Sequence, residues 1–209
     1  MDFDSTGPVV RWLAREDVAA AGALLGRAFQ DNPVYRAIFA HLDDAARARA
    51  VGRMKLAFTD AAVRWEEAEG VWVDGQLAGA SLVCAPGQYP HGLAAFLRHA
   101  RGTFGMGWRS IGQLLRADAY IRSRHTHVPH YYLFVLGIDP ARQRQGLGRA
   151  LLRSLAARAD GHRVSAYLET DRLTSVALYR SFGFEVNIEE DVSAVPGMHV
   201  WTMTRPAKR

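Results

Sequence analysis

Apolar and polar positions follow two rhythms along this chain, and each change of rhythm marks an element. Residues 9–13 (VVRWL) form a short apolar stretch with strand character. Arg15, Glu16 and Asp17 follow, and then an alanine-rich amphipathic run over 18–29, with acids where a helix start favours them. Asp31, Asn32 and Pro33 stop that helix, because proline restricts the residue before it and cannot continue the ladder. A second helical stretch starts near Asp43 and Asp44 and runs through Arg47, Val51, Met54, Leu56 and Phe58.

The period then switches. Residues 70–83 read as two strands joined at Asp74 and Gly75, where a tight hairpin needs a positive φ. Residues 91–124 return to helical character, interrupted by Gly102, Gly105, Gly107 and Gly112. The run YYLFVLGI over 131–138 is continuous, aromatic and β-branched, as in a strand buried on both faces. After Asp139 and Pro140 comes a glycine-containing turn, a helix through 150–159, a strand at 164–170 and a short helix at 174–182. A strand opening at 183–186 and an alternating last strand at 198–204 complete the order. This is an α/β pattern on a mixed sheet, and without repeats or linker-like stretches residues 1–209 read as a single domain.

With 209 residues, 49% of them hydrophobic and 22% charged, the chain has enough apolar surface for a core that needs no disulfide or metal. Its single cysteine, Cys84, leaves no intramolecular bridge to form, which points to a reducing, cytoplasmic setting. No apolar run reaches the roughly 18 residues of a membrane span, and the opening MDFDSTGPVV has no basic leader region, so no membrane partner is expected. The net charge of +5 is concentrated in 91–124, where Arg98, Arg101, Arg109, Arg116, Arg122 and Arg124 face one acid, Asp118. Such a stretch attracts phosphates or nucleic acid, or is simply a solvated helix face. It lacks the regular interleaving of aromatic and basic residues that nucleic-acid readers use, so a binding module is the lesser reading.

The chemistry concentrates in DPARQRQGLGRALL, residues 139–152, between the buried strand and a helix. A turn there exposes the first helical amides, which have no intrahelical acceptor and so attract anions. Gly146 and Gly148 remove the Cβ atoms that would hold a phosphate away, while Arg142, Arg144 and Arg149 add charge. No Gly-Lys-Ser/Thr follows, which excludes a Walker A loop. A dinucleotide fingerprint needs a third glycine where Leu151 stands, although Glu169 lies near the place of its ribose acid.

Gln143-x-x-Gly146-x-Gly148 after a buried strand resembles the pyrophosphate loop of the GNAT superfamily of acyl-CoA-dependent N-acyltransferases. The order of elements and the later ALYRSFGF, residues 177–184, resemble the same family's second signature. The resemblance is close over 131–186, and the residues around Tyr167–Thr170 and Val200–Met203 look most like the branch that includes puromycin N-acetyltransferase. It implies a mostly antiparallel central sheet flanked by helices, with a splayed strand pair around 131–138 and 164–170 and the basic segment 91–124 as a helical elaboration. It implies direct transfer of an acetyl group from acetyl-CoA to a primary amine, with no metal, and allows a homodimer. The amine would belong to a small molecule such as an antibiotic, with a protein N-terminus or lysine as the alternative acceptor.

Residue by residue, the resemblance puts Gly137 at a bulge where the strand splays, with the backbone of Leu136, Gly137 and Ile138 pairing with the pantetheine arm. Gln143, Arg144, Gln145, Gly146, Leu147, Gly148 and Arg149 would hold the diphosphate. Tyr179 would face the thioester sulfur, where a protonated phenol can donate to a departing thiolate. Some members carry a glutamate base on the buried strand, and here that position is Tyr132. Glu169, His130 and Tyr132 are therefore candidates for taking the amine proton, Glu169 first among them. Arg172 stands where many relatives carry an asparagine, which departs from the pattern. His125, His127 and His130 read as a polar loop at a strand entry, since no cysteine or carboxylate lies near them in sequence to complete a metal site. Cys84 sits inside an apolar strand with no adjacent base, which argues against a nucleophile.

Overall fold

The computed structural model describes residues 7–89 and 102–208. Arg98 and Arg101 of the basic segment lie outside the described residues. In chain order the elements are β1 (Val9–Trp12), α1 (Val18–Phe29), α2 (Pro33–Ile38), α3 (Asp44–Arg64), β2 (Ala68–Val73), β3 (Gln76–Cys84) and α4 (Trp108–Arg124). Then come β4 (His130–Ile138), α5 (Leu147–His162), β5 (Ser165–Thr170), α6 (Leu173–Arg180), β6 (Glu185–Asp191) and β7 (His199–Arg205). The strands form one sheet in the order β1-β2-β3-β4-β5-β7-β6. Every neighbouring pair is antiparallel except β4 and β5, which the α5 crossover makes parallel.

Local signals explain most of these boundaries. Asp74 and Gly75 both take positive φ, 52° and 71°, so β2 and β3 close through the turn that matches strand twist. The Asn32-Pro33 pair does more than end α1. The Asn32 side chain accepts hydrogen bonds from the amides of Val34 (3.0 Å) and Tyr35 (3.4 Å), and Pro33 occupies the first helical turn, so the stop signal also starts α2. Of the described arginines on α4, Arg122 pairs with Asp118 and Arg124 with Glu190, which neutralises part of the basic stretch.

β4 is the centre of the molecule. Tyr131 and Leu133 pack against Leu152 and Leu155 of α5, and Val135 packs with Leu24 and Leu25 of α1 on the opposite face. Its pairing with β5 runs only from His130–Ser165 to Leu133–Leu168. Beyond that point β4 pairs with β3 alone, and its other edge is open.

The bulge is at Phe134, not at Gly137. Leu82 pairs with Val135 and Val83 with Leu133, so Phe134 is the extra residue on β4. Gly137 serves close packing: a Cβ there would lie 2.7 Å from Leu25 Cδ2 and 3.0 Å from Phe29 Cε2, so the bare Cα lets α1 rest on the strand.

One charge is buried under this layer. Lys55 of α3 is 2% exposed, and its ammonium lies 3.8 Å from the Phe29 ring centroid and 5.0 Å from that of Tyr35. Burial pushes its pKa down to about 7, with the Asp171 carboxylate partly opposing the shift. The unfolded chain keeps the proton to higher pH. The cost of burying the charge is therefore fully present below about pH 7, and is relieved as pH rises from there towards the ordinary lysine range. Lys55→Met should accordingly stabilise the protein in urea unfolding at pH 6, with the gain over wild type shrinking at pH 9. A gain that is equal at both pH values would remove the buried ammonium from this account.

Candidate active site

The end of β4 is held at several points. Asp139 accepts a hydrogen bond from the Ala141 amide at 3.0 Å, and its carboxylate also pairs with Arg27 of α1. The Gln143 side chain donates to the Ile138 carbonyl at 3.3 Å, folding the loop back on the strand. Arg144 and Gly146 then take left-handed backbone conformations, φ 63° and 78°. Among the described residues, the amides of Arg144, Gln145, Gly146, Leu147 and Gly148 donate to no protein acceptor, and the first amides to do so are Arg149 and Ala150, both to the Gly146 carbonyl. Five unpaired donors at the N-terminus of a 16-residue helix make an anion site.

A cleft of about 540 Å³ runs from this loop along the open edge of β4 to Glu169, Asp171 and Tyr179. It brings together Leu136, Gly137, Ile138, Gln143, Arg144, Gly146, Leu147, Gly148, Arg149, Glu169 and Tyr179; Gln145 does not line it. Ile138 enters with its carbonyl already engaged by Gln143. Tyr179 is buried against Phe184, and burial, then the charge of Asp171, raises its phenol pKa above the usual tyrosine range. The group thus stays protonated and can act as a donor. Tyr132 and His130 do not line the cleft: they lie behind Glu169 in a cluster of rings with Tyr167 and His125. Cys84 is buried, and burial, followed by the nearby Glu67, raises its thiol pKa, so the thiolate is disfavoured.

The acetyltransferase (GNAT) family model matches residues 60–184, more than half of the chain. The chain belongs to the GNAT family. A curated relative, the N-alpha-acetyltransferase RimI of Mycobacterium tuberculosis, is 38% identical over 101 residues, which is 48% of this chain and 64% of that protein. The chain spans less than two thirds of the length of the curated relatives it matches first. Among solved structures, the histone acetyltransferase HPA2 and related acetyltransferase of Corynebacterium glutamicum superposes with a TM-score of 0.67 at 18% identity, covering 97% of both chains. The polyamine N-acetyltransferase of Drosophila melanogaster gives 0.64 at 17% identity, covering 95% of this chain and 98% of that one. At these identities the structures share the fold.

This GNAT chain also has site features that sequence reading passed over. Asp171 accepts hydrogen bonds from the Asn32 side chain (3.0 Å) and the Val34 amide (2.9 Å), which pins the start of α2 to the end of β5 beside the cleft. Phe29 and Phe134 supply apolar walls. Arg172, the departure from the family pattern, reaches the Asp31 carbonyl at 3.4 Å and lines the same cleft. The available signal for the Asn32–Asp171 tie was the capping asparagine alone, because its partner lies 139 residues away. Among the described residues, no group of three or more metal-ligating side chains is assembled, and no helix is long and apolar enough to cross a membrane.

Proposed function

We propose that this GNAT protein moves an acetyl group from acetyl-CoA to the primary amine of a small molecule. The observation that carries the reading is the row of unpaired amides from Arg144 to Gly148, which shares one cleft with an open strand edge and a buried phenol. The amides suit a diphosphate, with Arg144 and Arg149 adding charge where they line the cleft. The free edge of β4 from Phe134 to Gly137 suits an extended amide-bearing arm laid alongside as an added strand.

The step needs no covalent enzyme intermediate. The acceptor nitrogen attacks the acetyl carbonyl, the carbon–nitrogen bond forms, and the carbon–sulfur bond breaks. Tyr179 donates its phenolic proton to the leaving thiolate, and Glu169 takes the proton that the amine must lose. Glu169 near the end of β5 and Asp171 just beyond it both line the cleft, and with Phe29 and Phe134 they make a cleft end that suits a cationic amine on an apolar body. A second reading, acetylation of a protein N-terminus, is favoured by the 38% identity to RimI over nearly half the chain.

The test is CoA release from acetyl-CoA with agmatine, spermidine, tryptamine, puromycin and an alanine-initiated peptide. Turnover with a free amine supports the first reading, turnover with the peptide alone the second, and release with none of them contradicts both. A Cβ at Gly148 meets nothing nearer than Leu136 Cδ2 at 3.7 Å, so Gly148→Val should fold and yet bind acetyl-CoA at least tenfold more weakly in calorimetry. A folded variant with wild-type affinity would remove the loop from this role. Tyr179→Phe should lower kcat by about a hundredfold, the lower end for a proton-transfer group, while acetyl-CoA affinity is unchanged. An unchanged kcat would take Tyr179 out of the acid role.

A further inference from the structure

Arg172 lines the cleft, half-buried just beyond the end of β5, and the proposed chemistry leaves it unused. Two aspartates stand close to it, and it pairs with neither. Asp171 gives one carboxylate oxygen to the Asn32 side chain at 3.0 Å and the other to the Val34 amide at 2.9 Å. The Asp31 carboxylate holds Arg36 at 2.9 Å and Arg47 at 3.6 Å. Among the described residues, the Arg172 guanidinium hydrogen-bonds only to the main-chain carbonyl of Asp31, at 3.4 Å. Most of its N–H donors are therefore unused, and no carboxylate balances its charge. A planar fork in that state matches a carboxylate, which it holds through two parallel hydrogen bonds.

Its place in the fold separates it from the diphosphate. α1 packs on one face of β4 and α5 on the other. Arg172 turns to the α1 side, since Asp31 lies two residues past the end of α1. The loop of free amides opens α5 on the opposite side, where Arg144 and Arg149 already supply charge. A diphosphate held there has no need of Arg172. The wall around Arg172 is the one left for an acceptor: Phe29 and Asn32 at the end of α1, with Glu169 and Asp171 at the end of β5. Glu169, which takes the amine proton in the reading above, lies three residues before Arg172. Extended chain of that length spans at most about 11 Å. One small molecule can therefore reach both, with an ammonium towards Glu169 and a negative group on Arg172.

We propose that the acceptor is an amino acid, whose amine meets Glu169, whose carboxylate is clamped by Arg172, and whose side chain lies against Phe29 and Phe134. The inference rests on the acetyltransferase reading of the cleft and names the acceptor class within it. Arg172 is then the residue that determines specificity. An amine without the carboxylate would cover the guanidinium and leave it unpaired, and the site discriminates against it for that reason.

The test compares acceptors that differ by the carboxylate alone: tryptophan with tryptamine, phenylalanine with phenethylamine, arginine with agmatine, and γ-aminobutyrate with propylamine. In the wild type, with acetyl-CoA, kcat/KM should favour the carboxylate-bearing member of the best-used pair by about tenfold or more. Arg172→Gln should abolish that preference while its affinity for acetyl-CoA in calorimetry is unchanged, and Arg172→Lys should restore part of the preference. The wild-type comparison decides even if neither variant folds.

Equal or faster turnover of the decarboxylated amines would overturn the proposal and leave the acetyltransferase reading standing. Acetylation confined to the other acceptors of the panel, the alanine-initiated peptide included, would do the same. Weaker acetyl-CoA binding by folded Arg172→Gln would also overturn it, by assigning the arginine to the coenzyme. So would a wild type that prefers malonyl-CoA to acetyl-CoA and loses that preference in Arg172→Gln, because the carboxylate would then sit on the acyl group. A wild type that releases CoA with none of these acceptors would instead remove the acetyltransferase reading, and this inference with it.

Discussion

Main-chain hydrogen bonds left unmade are the constraint on which this structure turns. A backbone amide or carbonyl that makes no protein hydrogen bond is left to water or to a ligand, and covering it without a partner costs roughly 1–3 kcal/mol. Here two sets open on one cleft: the amides from Arg144 to Gly148, and the edge of β4 beyond Leu133. The second set exists because β4 and β5 are the one parallel pair and part after four residue pairs, where Phe134 is bulged towards β3's register. The first exists because Arg144 and Gly146 turn the backbone left-handed just before α5. Both are held open by ordinary packing, with α1 seated on Gly137 and the Gln143 amide closing the strand end.

A polar frame stiffens the end of the cleft around Glu169 and Asp171. Asp171 spends both carboxylate oxygens on the start of α2, with the ammonium of Lys55 buried close enough to feel its charge. Glu169, two residues earlier and still on β5, lines the cleft and lies beside His125. The two carboxylates thus differ in environment: Asp171 fixes the start of α2, while Glu169 lines the cleft with the Tyr132 and Tyr167 hydroxyls and the His125 ring behind it. His125 approaches from α4, so the basic segment with which this helix ends reaches the site through its terminal histidine more than through its arginines.

What sequence alone could show was whatever is decided within a few residues. The loop after Asp139 and the bounds of α1 are local matters of glycine, proline and apolar period, and α1 is where the reading placed it, while α5 starts at Leu147, three residues before the expected helix. The helix after Asn32 was missed because an Asn-Pro pair marks both the end of one helix and the start of the next. The family resemblance put the bulge at Gly137, yet register belongs to two strands and is visible only when β3 is laid beside β4. Pairings such as Asn32 with Asp171 and His125 with Glu169 join residues 139 and 44 apart, and no local pattern encodes them. His125 in particular looked like part of a polar loop until the fold set a carboxylate beside it.

The most direct measurement is hydrogen exchange across residues 143–149, with and without coenzyme A. The account predicts that the amides from Arg144 to Gly148 exchange freely in the free protein and become strongly protected when coenzyme A binds, in step with its occupancy. Coenzyme A bound at saturation, with exchange in this loop unchanged and protection elsewhere, would contradict it.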